Sequence, residues 1–146
     1  MTSWKGRADK VMDAVTTYDT LKRVFADFVK NWKERGGDGI GGVLFEEETA
    51  DAFTLAMFDG CKVTAGFSMI IKAGHPWGKV TYAREDGRQI GHFYFDQGGY
   101  QFATPDRKTL DGDSCNITHR HRFPEIVIEF METYLSSFQE RGGGHG

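Results

Sequence analysis

An α+β fold, with an N-terminal helix, a five- to six-stranded antiparallel meander sheet and a C-terminal helix, is predicted by three observations on this 146-residue chain. Apolar residues recur at three- and four-residue steps at the start, alternate at two-residue steps through the middle, and return to helical spacing near the end. Glycine-containing breaks punctuate the middle. The connections between the middle segments are too short for crossover helices, so neighbouring strands should pair antiparallel.

The first helix is read from Val11, Val15, Tyr18, Leu21, Phe25, Phe28, Val29 and Trp32, which form one apolar stripe. Lys10, Asp13, Lys22, Arg23, Asp27, Lys30 and Lys33 fall mostly between them and make a solvated face. Thr16 to Thr20 offers a cap at which the helix could break, and Gly36 and Gly37 end it. Residues 43–48, 52–58, 61–72, 79–85, 88–95 and 99–103 are rich in aromatic and β-branched residues and read as strands. "FDGC", "EDGR" and "DQGGY" are tight turns, and "AGHPWG" is a longer link between the third and fourth strands.

After a polar loop at 104–122, Pro124 and Glu125 suit a first helical turn, and Val127, Phe130, Met131, Tyr134, Leu135 and Phe138 share a face. The β-branched run Ile126-Val127-Ile128 pulls locally toward a strand. Residues 1–146 make one domain, with 1–8 and 141–146 expected to fray. Both helices should pack on one sheet face. Val63, Ala65, Phe67, Met69 and Ile71 of the third strand should meet them, leaving Thr64, Gly66, Ser68 and Ile70 on the other side.

Composition narrows the function classes. Hydrophobic residues make up 39% and charged residues 27%, an ordinary globular balance. A net charge of −3 supplies no general attraction for nucleic acid or anionic lipid. Neither a signal peptide nor a membrane-spanning apolar run is legible, so a cytoplasmic location is expected. Cys61 and Cys115 read as two buried or half-buried thiols rather than a disulfide framework.

Several motifs fail in context. Gly37, Gly39 and Gly42 satisfy the dinucleotide-binding spacing, but a helix precedes them and a strand follows, the reverse of what phosphate binding needs. Asp111 and Asp113 begin like a calcium loop, yet Asn116 and Arg122 stand where Gly and a bidentate Glu are required. Glu46, Glu47, Glu48 and Asp51 read as surface charge. "HFYFDQGGYQF" has the aromatics of a base-stacking platform without the basic residues, so nucleic acid is not an expected partner.

"NITHRHRF", residues 116–123, admits two functional readings beside that of a basic turn. In an extended segment His119 and His121 project to one side and, with Glu125, make a candidate site for a divalent metal such as zinc; His75 or His92 would complete it. The spacing His-x-His-x-x-x-Glu resembles part of the first metal motif of cupins. The match ends there, because Pro124 starts a helix and no second motif supplies another histidine. Arg120 and Arg122 share the opposite side and precede a helix N-terminus, a candidate anion site.

The leading expectation is a small non-catalytic binding protein that acts through the uncovered sheet face, as a homodimer or with another protein. Phe58, Gly66, Ser68, His92 and Tyr94 are its candidate ligand or interface residues, because small residues flanked by aromatics leave a depression. No cofactor is expected on this reading. The alternatives are a metal-dependent hydrolase using His119, His121 and Glu125, and a binder of a small apolar molecule in a shallow sheet groove.

Overall fold

The computed structural model describes residues 4–35, 41–106 and 115–138. It contains helix α1 (Trp4–Arg35), strands β1 (Val43–Glu48), β2 (Ala52–Met57), β3 (Lys62–Lys72), β4 (His75–Arg84), β5 (Gln89–Phe95) and β6 (Gln101–Phe102), and helix α2 (Phe123–Ser136). The strands form one curled antiparallel sheet in sequence order, and both helices pack on the same face of it, as the periodicities predict. Among the described residues no helix is long and apolar enough to cross a membrane.

Local chemistry accounts for the turns. Asp59-Gly60, Asp86-Gly87 and Gly98-Gly99 each place a glycine at φ between 85° and 90° as the last residue of a three-residue loop, the type I turn plus bulge that joins twisted antiparallel strands. In the third of these, Asp96 Oδ1 accepts the amides of Gly98 and Tyr100, each at 3.0 Å. "AGHPWG" is not the longer link expected of it. Ala73 and Gly74 alone make the turn, at φ 50° and 79°, and Pro76 and Trp77 already pair with Ile71 and Ile70. Two successive residues at positive φ match the strand twist, which lets the hairpin close in two residues.

α1 runs unbroken through Thr16–Thr20. The Thr20 hydroxyl donates to the Thr16 carbonyl at 3.3 Å, so it is satisfied inside the helix instead of capping a new one. Only the second half of its apolar stripe is buried: Leu21, Val24, Phe25, Phe28, Val29 and Trp32 enter the core, whereas Val11 and Val15 do not. Val11 points the same way as buried Val29, about five helical turns on, so its exposure reflects the lack of a packing partner at this end of the helix among the described residues, whereas Val15 points about 110° from the centre of the buried face. Residues 4–8, expected to fray, begin this helix.

The core is aromatic. Phe28 lies within 5.7–6.4 Å of Phe53, Phe93 and Phe123, and Trp32 meets Phe123 and Phe130 edge-on at 5.3 and 5.5 Å. α2 contributes Phe123, Ile126, Val127, Phe130 and Tyr134, so burial of Ile126 and Val127 overrides their strand preference. Leu135, assigned to the buried face, is exposed; Phe138 is exposed too but stacks on Phe58. The acidic residues of the first hairpin pair on the surface, Glu46 with Lys62, Glu48 with Lys33 and Asp51 with Lys22. Cys61 is half-buried and Cys115 buried, both free.

Candidate functional site

The helix-free sheet face is built by alternation. Buried and less buried residues alternate along β2 and β3, and the register carries the pattern across β4 and β5. Thr54, Thr64 and Ala83 form one cross-strand row, Ala52, Gly66, Thr81 and His92 the next, and Ser68, Lys79, Tyr94 and Phe102 a third. The middle of the face is therefore small and nearly uncharged. A Cβ built on Gly66 meets nothing within 4 Å, so open space stands above the sheet there.

Four of the five residues assigned to this face lie on it: Gly66, Ser68, His92 and Tyr94. His92 and Tyr94 touch edge-on at 5.5 Å, and Lys79 lies 5.7 Å over the Tyr94 ring. Phe58 is elsewhere. It stacks on Phe138 and meets Tyr134 edge-on, because the chain leaves β2 at Met57 and turns toward the end of α2.

The face ends in a cleft of about 710 Å³ that sequence reading did not anticipate. Lys72, His75, Pro76 and Trp77 come from the β3–β4 hairpin, and Gln97, Pro105 and Asp106 from the loops after β5 and β6. Trp77 and Phe102, 5.0 Å apart and edge-to-face, are buried at its base. The only signal for it in the sequence was "AGHPWG", whose reading as a loose link concealed that Trp77 is a strand residue.

"NITHRHRF" is held at its start and exposed after it. Asn116 pairs with Tyr100, its Nδ2 donates to the Gly98 carbonyl at 2.8 Å, and buried Asn31 donates to the Ile117 carbonyl at 3.2 Å. His119 and His121 do share a side, their rings stacked at 5.5 Å. Glu125 turns instead to Arg122, at 2.8 Å, and this pairing lowers its pKa. Arg120 lies 3.4 Å from Glu34 of α1, so each arginine of the proposed anion site faces a carboxylate. His75 and His92 sit at opposite ends of the hairpin's open face, about 20 Å apart along the strands by residue spacing. Among the described residues no three His, Cys, Asp or Glu side chains gather closely enough to hold a metal ion.

A smaller polar cavity, about 100 Å³, lies where α2 crosses the β5 edge, lined by Tyr82, His92, Gln101, Ile126, Glu129 and Thr133 among others. α2 packs over Gly91, where a Cβ would stand 2.6 Å from Thr133 Cγ2 and would have to turn that methyl aside. Gln101 Oε1 is buried with no hydrogen-bond partner among the described residues. Desolvation raises the Glu129 pKa above its usual 4.5, against a hydrogen bond from Gln101 that lowers it. The folded state thus holds the Glu129 proton more tightly than the unfolded chain, and its contribution to stability falls as pH rises from about 4.5. Glu129→Gln is expected to be more stable than the parent at pH 7, with the gain gone below about pH 4; urea titrations at the two pH values read this directly.

No family model, no curated protein and no solved structure matches this chain.

Proposed function

We propose that the protein is a non-catalytic binding protein whose working surface is the helix-free sheet face, from Gly66 to the Trp77 cleft. The observation that supports this reading is the open ground above Gly66, on a small, nearly uncharged face with aromatics at one end. Such a surface offers little to catalysis but can take a flat or extended partner without reorganising. Binding to it is tested with 8-anilinonaphthalene-1-sulfonate, whose aromatic body and anionic group suit Tyr94 and Lys79. Saturable binding is expected, with amide shifts concentrated at Thr81, Lys79 and Tyr94. Gly66→Glu adds a side chain into space that is empty and a charge that repels the sulfonate, so it should leave the thermal midpoint unchanged and weaken binding about tenfold or more. Amide shifts scattered over both helices, or binding indifferent to Gly66→Glu, would refute the assignment.

The cleft favours a second reading, a small amphipathic ligand seated against Pro76 and Trp77. Its volume of about 710 Å³ falls within the range of small-molecule sites. Lys72 and Asp106 supply charges of both signs at its wall.

A further inference from the structure

We propose that the amino-terminal half of α1 is a self-association surface, on which a second copy of this chain docks its own α1 in antiparallel register. Trp4, Ala8, Val11, Val15 and Tyr18 recur at alternating four- and three-residue steps, the spacing of a coiled-coil seam. Trp4, Val11, Met12 and Val15 are 72%, 61%, 62% and 51% exposed, and no residue of α1 before Leu21 is buried. From Trp4 to Val15 the helix therefore carries about 17 Å of uncovered apolar stripe, which Tyr18, partly buried against Phe67 of its own chain, joins to the core. A helix segment of that length is marginal alone in water, and a stripe that long marks a contact surface. The inference is independent of what binds the open sheet face.

Charge selects the occupant and its direction. Lys5 and Asp19 lie two heptads apart on the same flank of the stripe, with Met12 midway between them. Neither is in an ion pair of its own chain among the described residues. An antiparallel two-fold pairing sets Val11 against Val15 of the second copy and Ala8 against its Tyr18, small against large. The same register brings each Lys5 to the other copy's Asp19 and packs Met12 on Met12 near the axis. Parallel pairing would instead oppose Arg7 to Met12 and Ala14 to Asp19, leaving both charges without a partner. Exposed ion pairs of this kind add little energy, so their role is to choose the orientation while the apolar layers supply the affinity.

Sedimentation equilibrium of the full chain tests the surface. A dimer is expected, and Val11→Asp/Val15→Asp should raise its dissociation constant at least about a hundredfold with the circular dichroism spectrum unchanged, since both side chains are exposed in the single chain. Asp19→Lys should weaken the dimer, and Lys5→Asp/Asp19→Lys should restore it. For orientation, Lys5→Cys chains mixed with Asp19→Cys chains should form a disulfide-linked heterodimer under mild oxidation. Linking of Arg7→Cys chains to Met12→Cys chains, with no link between Lys5→Cys and Asp19→Cys chains, would instead establish the parallel arrangement and overturn the register. A chain that stays monomeric at millimolar concentration, or a dimer indifferent to the Val11 and Val15 changes, would overturn the proposal. So would a dimer lost in Gly66→Glu but kept in Val11→Asp/Val15→Asp, which would place the second copy on the sheet face.

Discussion

Trp32→Ala is expected to cost about 3–5 kcal/mol, a large part of the stability of a domain this size. Trp32 is fully buried where α1, α2 and β2 meet, with Phe53, Phe123 and Phe130 all within 6.0 Å of its ring. Three elements would lose a common contact, and aromatic neighbours held by their own packing cannot collapse into the space. The indole nitrogen has no hydrogen-bond partner among the described residues. Trp32→Phe removes that unsatisfied donor while keeping much of the ring, so it should cost far less than alanine. Guanidinium unfolding followed by far-ultraviolet circular dichroism checks both; a loss below about 1 kcal/mol for alanine would mean that Trp32 does not join the three elements.

Gly78→Ala is expected to destabilise by about 1–3 kcal/mol although it adds a single methyl group. Gly78 pairs with Phe95 across β4 and β5, and a Cβ at Gly78 would fall 2.2–2.5 Å from three atoms of the Phe95 ring. The ring lies flat on the glycine, is fully buried, and has Phe67 at 6.0 Å on its other flank, so it has no free direction in which to tilt. Shortening the obstacle should relieve the strain: Gly78→Ala/Phe95→Leu is expected to be more stable than the sum of the two single changes allows. Strict additivity in that double-mutant cycle would show that the methyl is accommodated elsewhere.

The two surfaces suggested for function were legible to different degrees. Alternation in β3 already separated Val63, Ala65 and Phe67 from Thr64, Gly66 and Ser68, and the antiparallel register does set the second group on an uncovered face. Phe58 was placed there by counting on past the end of β2, but a strand's alternation ends with its ladder, and the turn at Asp59-Gly60 takes the ring to α2. The seam on α1 was visible as part of one long stripe. That its first half would stay uncovered was not visible, because this depends on how far the sheet extends beneath the helix.

At "NITHRHRF" neither the turned backbone nor the charged partners were legible in the sequence. His119 and His121 do stack side by side, but in successive turns closed by the His119 amide on the Asn116 carbonyl and the Phe123 amide on the Arg120 carbonyl, not in an extended segment. Glu125 and Glu34 engage the arginines instead, and Glu34 lies far away in the chain. The Glu129 cavity had no sequence signature at all, since Tyr82, Gln101 and Thr133 come from three separate elements.

What the chain determined by itself was whatever acts over a few residues: the helical and alternating periods, the glycines at positive φ, the proline opening α2, and hence the antiparallel direction of neighbouring strands. The tertiary structure alone decided which apolar residues are covered, which charges meet, and why Gly78 must lack a side chain. The reason is the range of the forces involved. Backbone preference and turn sterics are settled between near neighbours, whereas burial and ion pairing depend on groups that only the folded chain brings together.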